Sequence, residues 1–225
     1  MSSGIFVTGT DTGVGKTAIA AGLLHALGKR GLTTAAMKPV ACGCHQTDDG
    51  LRNEDALVLM EQMTADHPYS TVNPYAFKAP MAPHIAAGRA GITIDPVRII
   101  NTYKTLISGA DCVVVEGVGG WQVPVNDHQT MADIVAMMDS GIILVVGIRL
   151  GCLNHALLTQ TAIEQSGLSL TGWVANRIEP DFADADANVE ALSIWLRAPL
   201  VGDVPYIKVM QPMRVATYLD TRMIT

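Results

Sequence analysis

The sequence predicts an α/β protein with three layers, helices on both faces of a mostly parallel central sheet. Three observations carry that reading. Short apolar runs alternate with helical patterns along the 225 residues, the order that produces a parallel sheet. Runs such as Cys112–Val115 and Ile142–Gly147 are apolar almost throughout, as in strands covered on both faces. The first run leads into a glycine-rich loop that opens a helix.

Taken in order, Ile5–Thr8 reads as the opening strand. Residues 15–30 read as a helix, with Ile19, Leu23 and Leu27 on one stripe and Gly31 as its stop. Thr33–Lys38 is a second strand, Glu54–Met63 a helix, and Pro96–Ser108 another. After the strand Cys112–Val115, Met131–Met138 is helical and Ile142–Gly147 is again a buried strand. Asn154–Gln165 is a helix, Leu170–Ala175 a strand, and residues 184–197 a helix. Leu200–Val204 closes the sheet, with a helix expected after it. Prolines 68, 74, 80, 83 and 96 make residues 67–96 the least regular stretch, expected as a functional loop. No repeat or low-complexity linker divides the chain, so residues 1–225 are expected as a single domain.

The chain is 49% hydrophobic and 16% charged, which excludes disorder and coiled coil. Fifteen Lys and Arg against twenty-one Asp and Glu leave a net charge of −6, with no general pull toward nucleic acid or anionic lipid. Mean hydropathy is +0.29, yet the most apolar run, Gly141–Ile148, stops at Arg149 after eight residues. A spanning helix needs about twenty. The opening MSSGIFVTGTDTG lacks the pattern of a secretory signal. The expected compartment is the cytoplasm, with Cys42, Cys44, Cys112 and Cys152 as reduced thiols.

The strongest motif is Gly9-Thr10-Asp11-Thr12-Gly13-Val14-Gly15-Lys16-Thr17, between the first strand and the first helix. Glycines let backbone amides turn toward phosphate oxygens, and a helix N-terminus adds free N–H groups. Lys16 has the reach for β- and γ-phosphates, and the Thr17 hydroxyl can ligate Mg²⁺. Five residues, not four, separate Gly9 from Gly15, so Thr10 takes the usual first-glycine position. Asp11 stands five before Lys16, where switch ATPases with a signature lysine carry Lys.

Other candidates lie at strand ends, where open α/β sheets bind ligands. Glu116 ends the Cys112 strand, and Gly117, Gly119 and Gly120 follow, permitting close backbone approach. Asp55 is either a second Mg²⁺ ligand or an ordinary acid in a helix's first turn. Asn176 is either a turn residue or a reader of adenine, since its amide both donates and accepts. Lys38, before Pro39, is either a surface lysine or a second cation in the same crevice. Cys42-Gly43-Cys44-His45 has the look of half a zinc site, but no second pair is spaced to complete it.

These residues together resemble the dethiobiotin synthetase family. The matching stretches are Gly9–Thr17, Met37–Val40, Gly50–Ala56, Thr71–Tyr75, Ala82–Ile85, Val115–Trp121, Leu150–Ala156 and Gly172–Asn176, in order. The resemblance implies a P-loop NTPase-like fold and an ATP- and Mg²⁺-dependent ligase of biotin synthesis. Its substrates would be 7,8-diaminononanoate, CO₂ and ATP. One amine captures CO₂ as a carbamate, ATP phosphorylates it, and the second amine closes a cyclic urea.

By the same resemblance Lys16 and Lys38 are the catalytic residues, and Thr17, Asp55 and Glu116 hold Mg²⁺. Gly13, Val14, Gly15, Lys16, Thr17, Ala18, Asp55, Glu116, Gly117, Val118 and Gly119 would contact ATP. Asn176, Arg177, Pro205, Tyr206 and Ile207 would frame the adenine. Thr12 and Cys42 would face the diamine, and Gly151, Cys152, Leu153 and Asn154 of a second subunit would meet its carboxylate, implying a homodimer. The chain departs from the family at Cys42, where serine is common, and at Gly13, where some members carry Glu. Two other readings share the motifs: another ATP-dependent amide-forming ligase or small-molecule kinase, and a partner-binding nucleotide switch. Asp11 in the signature-lysine position argues against the switch.

Overall fold

In the computed structural model, which describes residues 3–224, six parallel strands form the central sheet. In chain order they are β1 (Ser3–Gly9), β2 (Thr34–Met37), β7 (Cys112–Glu116), β8 (Gly141–Ile148), β9 (Leu170–Arg177) and β10 (Leu200–Val204). Their spatial order is β10-β9-β8-β1-β7-β2. Alternate side chains of each strand go to opposite faces, so every strand feeds two cores. Ile5, Val7, Val114, Ile143 and Val145 pack on one side with α1 (Lys16–Lys29), α2 (Glu54–Gln62) and α9 (Pro212–Ala216). Phe6, Val113 and Val115 face the other way, against α4 (Pro83–Arg89), α5 (Pro96–Ser108) and α6 (Met131–Val135). On that same face Leu144, Val146 and Trp173 meet α7 (Cys152–Gln165) and α8 (Ala185–Trp195). The three layers match the sequence reading, and the buried strands are apolar because both their faces are covered.

Several elements differ from expectation. Residues 67–96 are not a featureless loop: they form α3 (Tyr69–Val72), β6 (Tyr75–Phe77), and α4. Proline stands at the first position of α4, where a missing N–H costs nothing, so proline content misled. β6 pairs in parallel with β3 (Val40–Cys42), and β4 (His45–Thr47) forms a hairpin with β5 (Gly50–Arg52). Strands of three residues carry no readable periodicity. The helix read over Met131–Met138 stops at Val135, and α7 begins at Cys152, two residues early. β9 extends through Arg177, so Asn176 lies within a strand and not in a turn after it. A 3₁₀ turn at Thr221–Met223 follows α9. No helix among the described residues is long and apolar enough to cross a membrane.

Register fixes the site's framework. Val7 pairs with Glu116, Met37 with Val115, and Gly9 with Val145, so the carboxyl ends of β1, β2, β7 and β8 meet at one edge. Packing within the sheet is tight at Gly172, where an added Cβ would overlap a methyl of Val201. Gly172→Ala is therefore expected to destabilise by about 1–3 kcal/mol in urea denaturation, despite alanine's better backbone entropy. A neutral or stabilised variant would contradict the packing.

Candidate active site at the sheet edge

The phosphate-loop motif spans the gap between Gly9 of β1 and Lys16 of α1. Gly15 caps α1 in the left-handed region, φ 91°, and an added Cβ there would strike the Asn176 amide nitrogen. Backbone conformation and contact thus both demand glycine. No side chain caps α1, and its first turn holds no acid. Its N-terminal amides are therefore free to meet an anion. Lys16 donates from Nζ to the Asp11 carbonyl at 2.8 Å. Burial, with Lys38 nearby, brings its pKa down to about 8.

Beside the loop lies a compact charge cluster. Lys38 Nζ is 2.7 Å from Glu116 Oε1 and 2.9 Å from Asp55 Oδ2. It also donates to the Gly117 carbonyl at 3.3 Å. Thr17 Oγ1 donates to Glu116 Oε1 at 2.8 Å. Burial opposes the Lys38 ammonium, but Glu116 and Asp55 outweigh it and hold the pKa above the usual lysine range. Burial likewise works against the Asp55 carboxylate, and Lys38 overcomes it, so Asp55 titrates low. Glu116 Oε2 is buried and meets no hydrogen-bond partner.

The cluster is held in place by residues that the sequence reading missed. The Asn53 N–H donates to the Tyr69 hydroxyl at 2.8 Å, and that hydroxyl donates to Asn73 Oδ1 at 2.9 Å. Asn73 Nδ2 donates to the carbonyls of Lys38 and Tyr75, at 2.7 and 3.1 Å. Asn53 also caps α2, its side chain accepting the Ala56 N–H at 3.3 Å. The start of α2, which carries Asp55, is thereby tied to the backbone of Lys38. Asn53 stands beside a helix start, a readable capping signal; Tyr69 and Asn73 carry no local one.

A cavity of about 750 Å³ opens over this cluster. Thr12, Gly13, Gly15, Lys16, Thr17, Lys38, Cys42, Asp55, Glu116, Val118 and Gly119 line it, as do Asn53, Val123 and Pro80–Pro83. Pro80, Met81, Ala82 and Pro83 give the lining an apolar stretch. Val14 is buried behind the loop, and Ala18 and Gly117 lie outside the lining. So do Asn176, Arg177, Pro205, Tyr206 and Ile207. Asn176 donates to the Val14 carbonyl at 2.8 Å. Arg177 is engaged by Asp203, at 2.8 and 2.9 Å, and by Asp186 at 2.6 Å. Gly151, Cys152, Leu153 and Asn154 also lie apart from the cavity, where Gly151, φ 90°, turns the chain into α7.

Strand–loop–helix geometry, a parallel sheet and a crevice lined by lysines and acids at its carboxyl edge define a P-loop α/β protein. A family described as "AAA domain" matches residues 3–214. ATP-dependent dethiobiotin synthetase BioD of Pseudomonas aeruginosa (strain UCBPP-PA14) is 47% identical over 96% of each chain. The protein of the same description from Pseudomonas paraeruginosa (strain DSM 24068 / PA7) is 46% identical over the same share. Among solved structures, septum site-determining protein MinD of Pyrococcus horikoshii OT3, complexed with Mg-ADP, aligns with TM-score 0.60 at 17% identity. That alignment covers 99% of this chain and 89% of MinD. A ParA family ATPase of Chlorobium tepidum TLS aligns with TM-score 0.61 at 12% identity, covering 99% of both. Identities this low concern the fold alone. The chain belongs to the ATP-dependent dethiobiotin synthetase family, and so to the ATP-dependent ligases.

Two outcomes follow from the geometry. Asn73→Leu leaves the carbonyls of Lys38 and Tyr75 without their buried donor, so it is expected to cost about 1–3 kcal/mol in urea denaturation. A change within a few tenths would contradict the network. Burial, then Cys44, pushes the Cys42 thiol up to about 11. Its thiolate fraction at pH 8 is then about a hundredfold below that of an ordinary cysteine. Iodoacetamide labelling followed by mass spectrometry should therefore climb steadily through pH 10. Levelling off by pH 10, where an ordinary thiol is already almost fully ionised, would contradict the shift.

Proposed function

We propose that this chain, acting as a single domain with Mg²⁺, makes dethiobiotin from 7,8-diaminononanoate, CO₂ and ATP. The observation that carries this reading is one cavity that combines two lysines, two acids and two threonines with an apolar stretch at Pro80–Pro83. A triphosphate and a carbamate need the cations, and a diamine's methylene chain needs the apolar surface. Family membership at 47% identity supports the same substrates.

In this reading the amides of residues 13–18 and the Lys16 ammonium bind the phosphates. Lys38, held by Glu116 and Asp55, faces the carbamate formed when one amine adds to CO₂ and loses a proton. The carbamate oxygen takes the γ-phosphoryl group and ADP leaves. The second amine then attacks the carbonyl carbon, the C–O bond to phosphate breaks, and the nitrogen releases a proton as the ring closes. Each step asks for positioning and charge stabilisation, with no covalent bond to the protein. Thr12 and Cys42 flank the amines, and Cys42 offers a weaker donor than a hydroxyl would.

Mg²⁺ suits the donor set, because Glu116 Oε2 is buried without a partner beside the Thr17 hydroxyl. Thr17, Asp55 and Glu116 would hold the ion, whose chemistry is neutralisation of phosphate charge. Asn176 and Arg177, with Pro205, Tyr206 and Ile207, would bound the adenine at the ends of β9 and β10. The substrate's distant carboxylate would meet Gly151–Asn154 of a second copy, making the enzyme a homodimer with shared sites. Support comes from the first turn of α7, which holds no acid, and from the exposed Leu150 before it. The compartment in this reading is the cytoplasm, which suits the free thiols of Cys42, Cys44, Cys112 and Cys152.

The direct test is the mass of the product from diamine, ¹³C-bicarbonate and ATP. ATP hydrolysis should stay low until diamine and bicarbonate are both present. Stimulation by ammonia, glutamine or a protein partner would move the assignment elsewhere. Lys16→Ala or Glu116→Ala should each lose about 3–4 kcal/mol in kcat/KM, the scale of one preorganised charge-stabilising group. Near-normal turnover in either variant would remove that residue from the site. Asn154→Ala should raise the diamine KM more than it lowers kcat, since its contact is remote from the bond being made. An unchanged KM would contradict the contact.

A further inference from the structure

We propose that Arg149 is a positioning residue for the nucleotide site, neutralising the acid carried by the phosphate loop itself. The proposal rests on the reading of residues 9–17 as that site. Asp11 is the only acid in the motif. Its Oδ1 accepts the Thr12 N–H at 2.7 Å, and its carbonyl accepts from Lys16 Nζ at 2.8 Å. The carboxylate therefore stabilises the loop turn and sits beside the lysine that would meet phosphate. Left unpaired, it would also repel any polyanion the loop takes up.

Arg149 answers that charge from another element. Its Nη2 lies 3.0 Å from Asp11 Oδ2, with no second partner for the guanidinium among the described residues. Its backbone is anchored on both sides. β8 ends at Ile148, and the Val145 carbonyl of that strand accepts the loop's Thr10 N–H at 3.1 Å. The Arg149 carbonyl accepts the Cys152 N–H at 3.1 Å, in the turn that opens α7. Sheet and turn thus hold the arginine against the loop apex.

The Arg149 side chain is 34% exposed and that of Asp11 51%. A pair so wet adds little to folding stability. Its effect belongs to ligand binding, where it removes a negative charge from the approach of a triphosphate. Where switch ATPases carry a lysine at this loop position, this chain carries an acid and brings the compensating cation from the residue that follows β8.

The test is a charge-neutralisation double-mutant cycle on the full chain, reading Mg-ATP affinity by titration calorimetry and the ATP KM. R149Q should weaken ATP about tenfold, and that defect should shrink in high salt, because exposed charges are screened there. D11N keeps an acceptor for the Thr12 N–H while removing the charge. The double variant D11N/R149Q should therefore return to within about threefold of wild type, as should R149K, which retains the cation. Thermal midpoints should remain close to wild type throughout. A double variant as weak as R149Q, or an R149Q of normal affinity, would overturn the proposal while leaving the nucleotide site intact. If wild type binds no ATP, or K16A binds it as tightly as wild type, the site reading itself fails and the proposal with it.

Discussion

At the end of β7 a carboxylate and an ammonium lie 2.7 Å apart with almost no access to water. Either ion alone at that depth would cost several kcal/mol, so Glu116 and Lys38 require each other. The pair also constrains everything around it. β2 must lie beside β7 for Lys38 to reach Glu116, and α1 must begin where Thr17 can donate to the same oxygen. A buried ion pair is a poor device for stability alone, since apolar replacements of similar volume often do as well. Its presence at the ligand-binding edge of a parallel sheet is an argument from energy that this edge is kept for chemistry.

The remaining parts of the site complement that cluster. The loop supplies directed amides and a lysine whose proton is held more loosely, at about 8, because burial and Lys38 both act against it. Pro80–Pro83 supply an apolar stretch of the lining, and Tyr69 and Asn73 link Asn53 to the backbone of Lys38. A charged floor beside an apolar stretch suits a ligand charged at one end and alkyl along its length. The folds of MinD and ParA share the framework, so the distinguishing chemistry lies in these grafted walls and not in the sheet.

Much of this was readable in the linear chain. Covered strands betray themselves by unbroken apolar runs, and the glycine–lysine–threonine loop by its setting between strand and helix. A strand end makes Glu116 a candidate at the sheet's carboxyl edge, while Lys38 and Asp55 each keep an ordinary alternative in sequence, a surface lysine and an acid in a helix's first turn. The segment 67–96 resisted, because its strand is three residues long and its prolines serve helix starts. Tyr69, Asn73 and Arg149 resisted for another reason. Their contacts with Asn53, with the Lys38 carbonyl and with Asp11 cross 16, 35 and 138 positions of sequence, which no local period encodes. Asn176 was read as ending a strand, yet the strand continues and its amide is spent on the phosphate loop.

The central claim is that the Glu116–Lys38 edge gathers a triphosphate and a divalent cation. A crystal structure with a non-hydrolysable ATP analogue and Mn²⁺ tests it most directly. The account predicts phosphates against Lys16 and the α1 amides, with anomalous density between the Thr17 hydroxyl and Glu116 Oε2. Nucleotide bound elsewhere, or manganese away from Glu116, would contradict it.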